Sequence, residues 1–401
     1  MASRQAGEPP AAAAPCAGVR VLDLSTMVSG PLCGQLLGDL GADVIKLEPL
    51  QGDVLRTMRP AVQGSSAIFT HVNRNKRAIA VDLKDARGLA LARELAAGVD
   101  VLIENFRPGV AARLGLGYED LRAANPGLVY LSVNGFGADG PYADQPAYDL
   151  MIQGLTGFMP VQGHGGAPVA VKCAIADKVA SLSAALAVLA ALRARDAGGA
   201  GQLVNVRMLD AFAAFMLPDL MANHTFLDAA MEPMPPSDIY QGLATADGHV
   251  IGLIMLDRQF AGICKGLGRQ DLLDDPRFAD AALRIRNMQE LYEELQGDAR
   301  RLTTAAFMAI ARAHDIPFAP VNDIDGFLAD PQVAQNAAVV EVDDPDLGRM
   351  RQIGFFASFA GTPLTARRRA PLRGEHSAEI LRESGYGEAE IAALRRDAVI
   401  A

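Results

Sequence analysis

Short apolar segments alternate with amphipathic ones along the first half of the chain. The strand-like segments are VRVLDLS, DVIKLE, AIAVDL, VDVLIENF and VYLSVNGFG, and helix-like segments such as GPLCGQLLGDLGA and ARGLALARELAAG lie between them. Strand–helix–strand alternation at this spacing predicts an α/β fold with a parallel, doubly wound sheet. Ligands bind to such sheets at the carboxyl ends of the strands. We therefore expect the site among residues 25–30, 104–109 and 134–140.

The second half of the chain predicts helices and one hairpin. A long apolar helix is expected from Lys178 to Arg195, and QLVNVRM after it is typical of a strand. The segment ATADGHVIGLIML predicts a hairpin that turns at Asp247 and Gly248. Helical segments rich in Arg and Leu follow at 257–314, then the proline-rich return IPFAPVND, then two short helices within 372–396.

These patterns divide the chain into predicted domains. The first residues are small and rich in proline, and the pattern dissolves again around MEPMPPS. We predict a disordered tail at 1–17, a large α/β domain at 18–218, a linker at 219–237, a small α+β domain at 238–315, and a return linker with C-terminal helices at 316–401.

Composition and charge exclude several classes of function. The chain has 401 residues and a net charge of −10, so we expect neither nucleic acid nor an anionic membrane as a partner. Its four cysteines form no CxxC pair, which argues against a metal site of the zinc type and fits the reducing cytoplasm. The apolar run from Val179 to Leu192 is too short to span a bilayer, which takes about 20 residues. The N-terminus lacks the apolar centre of a signal peptide.

Asp177 is the strongest candidate for a reactive residue. It lies just before the long apolar helix, where free backbone N–H groups and the helix dipole favour an ionised carboxylate. Such a carboxylate can be directed at a substrate, but the same position also suits an ordinary N-cap. The basic run HVNRNKR at 71–77 also has two interpretations, a solvated face or a landing site for the phosphates of a ligand.

Five groups of motifs occur in order along the chain. They are GVRVLDLSTMVSGPLCGQLLGDLGADVIKLE, NRNKRAIAVDLK, DVLIENFRPG, YEDLRAANPGLVYLSVNGFGADGPYADQPAYDLMIQGLTG and DIPFAPVND. From about Gly18 to about Ile391 the chain resembles the class III CoA-transferases, which include the 2-methylacyl-CoA racemases. The resemblance implies a large Rossmann-like domain completed by the C-terminal helices, a smaller α+β domain, and a homodimer of two chains interlocked as rings.

The resemblance also implies a mechanism. Asp177 matches the family's nucleophile, whose carboxylate attacks an acyl-CoA to give an aspartyl–acyl anhydride and then an aspartyl-CoA thioester. Asp149 matches an acidic residue with a supporting role. The implied partners are an acyl-CoA and a carboxylic acid, with no cofactor beyond CoA itself as substrate. The residues that match the family's CoA-binding segments are Asn73, Lys76, Arg77, Asn105, Phe106, Arg113 and Leu114.

Local residues favour a transferase over a racemase. The racemases place a histidine immediately before the acidic residue, where this chain has Tyr148, and tyrosine is a poor base near neutral pH. Formyl-CoA transferases carry a glutamine at the position of Val28, so formate and oxalate are not expected. Dicarboxylate acyl groups are common in the family, and Arg56 or Arg59 is a candidate partner for a distal carboxylate. The remaining alternatives are a 2-methylacyl-CoA racemase and a catalytically inactive CoA-binding paralogue.

Overall fold

The computed structural model describes residues 14–163, 167–228 and 240–401. The chain divides into two compact units. The first contains residues up to 218 together with 338–401, and the second contains residues 219–337. Residues 1–13 of the predicted tail and 229–237 of the predicted linker lie outside the described residues.

Six parallel strands form the centre of the first unit. They are β1 (Arg20–Asp23), β2 (Asp43–Glu48), β3 (Lys76–Ala80), β4 (Val101–Glu104), β5 (Val129–Asn134) and β6 (Leu203–Arg207). Across the sheet their order is β3-β2-β1-β4-β5-β6, so the chain starts in the middle, builds one edge and then builds the other. This is the strand order of a Rossmann-type doubly wound sheet. The predicted parallel α/β sheet is confirmed.

Helices connect the strands of this sheet. Those that precede the second unit are α1 (Ser29–Asp39), α2 (Ala67–Asn73), α3 (Ala86–Ala97), α4 (Val110–Arg113), α5 (Tyr118–Leu121), α6 (Asp149–Leu155), α7 (Phe158–Gln162), α8 (Ile175–Asp196) and α9 (Met208–Leu220). A 3-10 turn at Val54–Thr57 and a short strand pair, Ala61–Val62 with Ser65–Ser66, lie between β2 and α2.

The second unit combines a small antiparallel sheet with helices. Its strands are β7 (Gly242–Ala244), β8 (His249–Gly252) and β9 (Phe318–Pro320), with β8 in the middle. The predicted hairpin between β7 and β8 is confirmed by the pairing of His249 with Ala244. The helices are α10 (Asp257–Leu267), α11 (Gln270–Leu273), α12 (Ala281–Arg286), α13 (Met288–Ala299), α14 (Thr304–Ala313), α15 (Ile324–Ala329) and α16 (Pro331–Gln335).

The return segment IPFAPVND differs from its prediction as part of a return linker that begins at residue 316. Its strand β9 pairs with β8 through Phe318 opposite Gly252, so this segment belongs to the second unit. A three-residue strand that ends on a proline is too short to show alternation of apolar and polar residues. Its partner is also distant in sequence, so only the folded chain reveals the pairing.

The chain completes the first unit from residue 338 onward. Ile380, Leu381 and Ile391 of the two C-terminal helices are buried in one apolar core with Leu22 of β1 and Ile45 of β2. The predicted helices are therefore confirmed, whereas the hairpin before them was not predicted. These elements are β10 (Val339–Asp344), β11 (Gly348–Ile353), α17 (Ser377–Glu383) and α18 (Glu388–Arg396).

Two element ends extend beyond the predicted boundaries. At the end of the predicted tail, residues 14–17 form a turn in which Cys16 is buried, and its N–H donates to the Leu40 carbonyl at 2.8 Å. Helix α9 continues to Leu220, inside the predicted linker. At residues 14–17 a hydrogen bond to distant backbone orders the segment. Composition does not reveal such a bond.

Helix α8 is half-buried in the first unit. By length and composition alone it is apolar enough to cross a membrane, but half of its most apolar window is buried inside the protein. It packs against α1, α6, β5 and β6. Its first residue is Ile175 rather than the predicted Lys178, which places Asp177 inside the first turn of the helix.

Candidate active site

Asp177 is the third residue of α8, and its side chain is half-buried. The N-cap of this helix is Ala174, whose side chain cannot accept a hydrogen bond. The acceptor comes from another helix: Asp149 Oδ1, at the start of α6, accepts the N–H of Ala176 at 2.6 Å and that of Asp177 at 3.2 Å. The interpretation of Asp177 as an N-cap is therefore wrong, because the carboxylate of Asp149 caps this helix.

The carboxyl group of Asp177 has a raised pKa. Burial raises it most and the charge of Asp149 raises it further, to a pKa of about 6, in spite of a hydrogen bond from Ser29 and the charge of Lys178. The sequence predicted that the helix terminus would keep this carboxylate ionised. Asp149 neutralises that terminus instead, so Asp177 is ionised at neutral pH but takes up a proton not far below it.

Two buried polar residues that the sequence analysis missed support these acids. Gln153, one turn after Asp149, donates from Nε2 to Asp149 Oδ2 at 2.6 Å. Ser181, one turn after Asp177, has its Oγ 2.7 Å from the Asp177 carbonyl and 2.8 Å from the Ser29 carbonyl. Gln153 lies four residues after Asp149, and this spacing of a side-chain pair on a helix is a signal that the sequence did contain.

A cavity of about 330 Å³ lies at the carboxyl ends of β1 to β4. The parallel sheet was predicted to bind its ligand at this edge. Most of the lining is apolar, and it includes Phe106 and Leu114, two of the predicted CoA-binding residues. Further lining residues are Leu24, Thr26, Gln51 and Lys84.

The side chain of Asn105 is hydrogen-bonded to the loop after β1. Its Oδ1 accepts the Thr26 N–H at 2.9 Å, and its Nδ2 donates to the Thr26 carbonyl at 2.7 Å. This two-point clamp joins the end of β4 to the loop that leads to Ser29, and therefore connects the cavity with the surroundings of Asp177. Arg113 is exposed at the end of α4, next to the cavity residue Leu114.

Asn73 and Lys76 are buried, and they form hydrogen bonds within the protein. The Lys76 ammonium donates to Asp23 Oδ2 at 2.7 Å, to the Pro31 carbonyl at 2.6 Å and to Asn73 Oδ1 at 2.8 Å. These bonds use all three of its N–H groups. A phosphate would have to displace a buried ion pair to reach Lys76, and the structure does not bring these two predicted CoA-binding residues into the lining of the cavity.

Arg77 is also engaged within the protein. It forms ion pairs with Asp43 at 2.6 Å, Glu379 at 2.9 Å and Glu383 at 2.7 Å, which join β3 to α17. Lys84, at the carboxyl end of β3, lines the cavity instead. The motif NRNKRAIAVDLK contained this lysine, but only the strand direction shows which of its basic residues lies at the ligand-binding edge.

Arg56 is not available for a substrate carboxylate. Its Nε and Nη2 donate to Glu48 at 2.9 Å and 2.8 Å, and its guanidinium lies 3.8 Å from the centre of the Phe69 ring. The predicted pairing of Arg56 with a distal carboxylate therefore does not fit this buried arrangement. Arg59, the other candidate, is exposed.

The strand order, the cavity at the carboxyl edge and the half-buried acid at a helix start define a Rossmann-like α/β protein with a carboxylate-centred site. The family model for CoA-transferase family III matches residues 16–377. The chain belongs to this family and is a CoA-transferase.

Relatives of known name cover nearly the whole chain. Succinate–glutarate CoA-transferase of Agrobacterium fabrum is 35% identical over 384 residues, which are 92% of this chain and 95% of the relative. Succinyl-CoA:glutarate CoA-transferase of Homo sapiens is 33% identical, over 92% of this chain and 86% of its own. The crystal structure of a CAIB/BAIF family protein from Brucella suis is 33% identical and has a TM-score of 0.82, covering 93% of this chain and 100% of that protein.

Proposed function

We propose that this enzyme transfers CoA from an acyl-CoA thioester to a carboxylic acid, with a dicarboxylate as donor or acceptor, through covalent intermediates on Asp177. The observation that carries the proposal is the half-buried Asp177 carboxylate, whose pKa of about 6 leaves it ionised yet reactive at neutral pH. The names of the relatives, which act on succinate and glutarate, support the dicarboxylate.

The proposed reaction begins at an Asp177 carboxylate oxygen. This oxygen attacks the thioester carbonyl, the C–S bond breaks, and an aspartyl–acyl anhydride and CoA thiolate result. The thiolate attacks the aspartyl carbonyl, which releases the donor acid and leaves an aspartyl-CoA thioester. The acceptor carboxylate attacks this thioester and regenerates thiolate and a second anhydride. The thiolate then attacks the acceptor acyl carbonyl of this anhydride, which gives the acyl-CoA of the acceptor and restores the Asp177 carboxylate.

Oxyanions in these steps need hydrogen-bond donors. The backbone N–H groups in the first turn of α8, next to Asp177, are already hydrogen-bonded within the protein. The Ile175 N–H bonds to the Cys173 carbonyl, those of Ala176 and Asp177 bond to Asp149, and that of Lys178 bonds to the Ala174 carbonyl. We therefore propose the N-terminus of α1, which begins at Ser29, as the source of these donors.

We assign the cavity at the carboxyl ends of β1 to β4 to the nucleotide end of CoA. Its apolar wall, with Phe106 and Leu114, suits the adenine ring. Lys84 on its rim supplies a cation for a phosphate. Asn105 then positions the loop between this cavity and the surroundings of Asp177. Arg113, the residue before Leu114, extends the basic rim.

The proposal is tested with a panel of acyl-CoA donors against carboxylic acids, with product CoA esters measured by mass spectrometry. We expect exchange with dicarboxylates such as succinate and glutarate. Alpha-deuteration of a 2-methylacyl-CoA in D2O without any acceptor acid would instead establish the racemase. Binding of CoA with no exchange for any pair would establish the inactive paralogue.

The ionisation of Asp177 predicts a pH dependence. The nucleophile acts as the carboxylate and its pKa is about 6, so kcat/KM is expected to be lost as the pH falls through about 6 and to be level above about 7. The variant Asp149→Asn keeps an oxygen for the N–H groups of α8 but removes the charge that raises the Asp177 pKa. Its acid limb is expected at lower pH in the same exchange assay. An identical limb in both proteins would contradict this electrostatic role of Asp149.

We propose that two copies of the chain form a homodimer, in the interlocked arrangement that the family resemblance implies. Leu182 and Leu186, four residues apart on α8, are 56% and 72% exposed, and Phe215 on α9 is 61% exposed. Exposed apolar side chains of this kind are typical of an interface.

Leu186→Glu is expected to weaken the dimer because it places a charge on that apolar face. Light scattering after size-exclusion chromatography measures the mass. Ile324→Glu on α15, an equally apolar position that is 69% exposed, is the control and is expected to remain dimeric. A monomeric wild type, or an unchanged Leu186→Glu dimer, would refute the interface.

We place the enzyme in the cytoplasm. Its four cysteines are free thiols, and three of them are buried. Unpaired cysteines fit a reducing compartment. Fractionation of the cells that produce the chain tests this location.

A further inference from the structure

The Asp149 carboxylate caps a helix to which Asp149 itself does not belong. It lies at the start of α6, whereas the N–H groups that it accepts belong to Ala176 and Asp177 of α8. Its second oxygen, Oδ2, accepts from Gln153 Nε2 at 2.6 Å. Both oxygens are therefore occupied, and the position of one of them depends on Gln153.

The amide of Gln153 also holds the segment that enters α8. Its Oε1 accepts the Val171 N–H at 2.9 Å, and its Nε2 is within 3.3 Å of the Val171 carbonyl and 3.4 Å of the Cys173 carbonyl. These contacts fix the orientation of the amide, because a flipped amide would place its oxygen against the carboxylate. The side chain is 1% exposed, so no solvent competes for these bonds.

We infer that Gln153 is a positioning residue for CoA transfer: it holds the Asp149 carboxylate and the segment 171–173 together, and so sets the position of Asp177. This inference rests on the proposed function of Asp177. A misplacement of about 1 Å at a reacting group costs about 10²-fold in rate. Gln153 therefore acts on kcat through two other groups without contacting the substrate.

Two variants separate this role from a merely structural one. Gln153→Leu removes the donor at every pH, and we expect kcat to fall about 10²-fold with little change in KM. Gln153→Glu retains the shape of the side chain. While protonated, its acid O–H donates to Asp149 as the amide does and its carbonyl accepts the Val171 N–H. Once deprotonated, it repels Asp149.

The expected signature of Gln153→Glu is a new alkaline limb. Burial and the adjacent acid raise the pKa of such a glutamic acid, so activity is expected near the wild-type value at low pH and lost as the pH rises. The wild type should show the acid limb of Asp177 alone. The titratable groups on the elements that face this position are Tyr148, Asp149, Lys172, Cys173, Asp177 and Lys178.

Gln259→Glu is the matched control. Gln259 is a buried helical glutamine of the second unit, and its Oε1 accepts the N–H groups of Met255 and Leu256, which a carboxylate also does. It is expected to retain wild-type kcat and a wild-type pH profile. Equal kcat for Gln153→Leu and wild type, or a Gln153→Glu profile without an alkaline limb, would overturn the inference. If the wild type shows no exchange that depends on Asp177, the proposed function fails instead.

Discussion

Asp177→Ala is expected to abolish CoA exchange, with a loss of about 10⁴-fold to 10⁶-fold in kcat, the range seen when a covalent nucleophile is removed. No other group in the proposed reaction forms the anhydride. Asp177→Asn should be equally inactive, and the alanine variant guards against deamidation, which would restore the carboxylate. Exchange rates come from mass spectrometry of the CoA esters, and the wild type incubated with acyl-CoA should carry a hydroxylamine-sensitive adduct on Asp177.

Asp196→Asn is the matched control for this variant. It makes the same substitution at the last residue of the same helix, where the side chain is 61% exposed and pairs with Arg195. It is expected to retain full activity, and circular dichroism should show all three variants folded. Turnover by Asp177→Ala above the uncatalysed rate, or an adduct on another residue, would end the assignment of the nucleophile.

Lys76→Met is expected to destabilise the protein by about 3–5 kcal/mol, because it leaves the charge of Asp23 buried without its partner. Both side chains are fully buried. Burial raises the pKa of Asp23, but the charges of Lys76 and Lys46 lower it, and the net direction is downward. Urea unfolding monitored by circular dichroism measures the free energy of unfolding.

Arg122→Met provides the comparison, because Arg122 forms an exposed pair with Glu119 and has a side chain that is 57% exposed. Its free energy of unfolding should stay within about 0.5 kcal/mol of the wild type. A Lys76→Met protein of wild-type stability with a raised KM for the acyl-CoA would instead restore the CoA-binding role that the sequence motif assigned to Lys76.

The cavity residues and the basic run show where the motifs succeeded and where they did not. Phe106 lines the cavity because it follows β4, where the motif DVLIENFRPG already placed it at a strand end, and Leu114 lines the same cavity from the end of α4. Lys76 and Arg77 begin β3 rather than follow it, so they lie at the opposite edge of the sheet from the cavity. Charge in a sequence does not distinguish a phosphate partner from a partner for a buried carboxylate.

Asp149 illustrates a second limit. Its match to an acidic residue of the family suggested support for Asp177, but the form of that support requires two helices, α6 and α8, to meet. The pKa of Asp177 depends on burial and on this neighbour, neither of which follows from local sequence. The same holds for Gln153, whose partners lie on two segments of the chain, its own helix α6 and residues 171–173.

The sequence by itself determined the alternation of strands and helices and the family, and it supplied Asp177 as the proposed nucleophile, because periodicity and motifs are local properties that survive without coordinates. The tertiary structure alone decided which charged residues are buried pairs, which carboxylate caps α8, and how readily Asp177 takes up a proton. These depend on distances between residues far apart in the chain, and the strength of an electrostatic interaction is set by distance and burial.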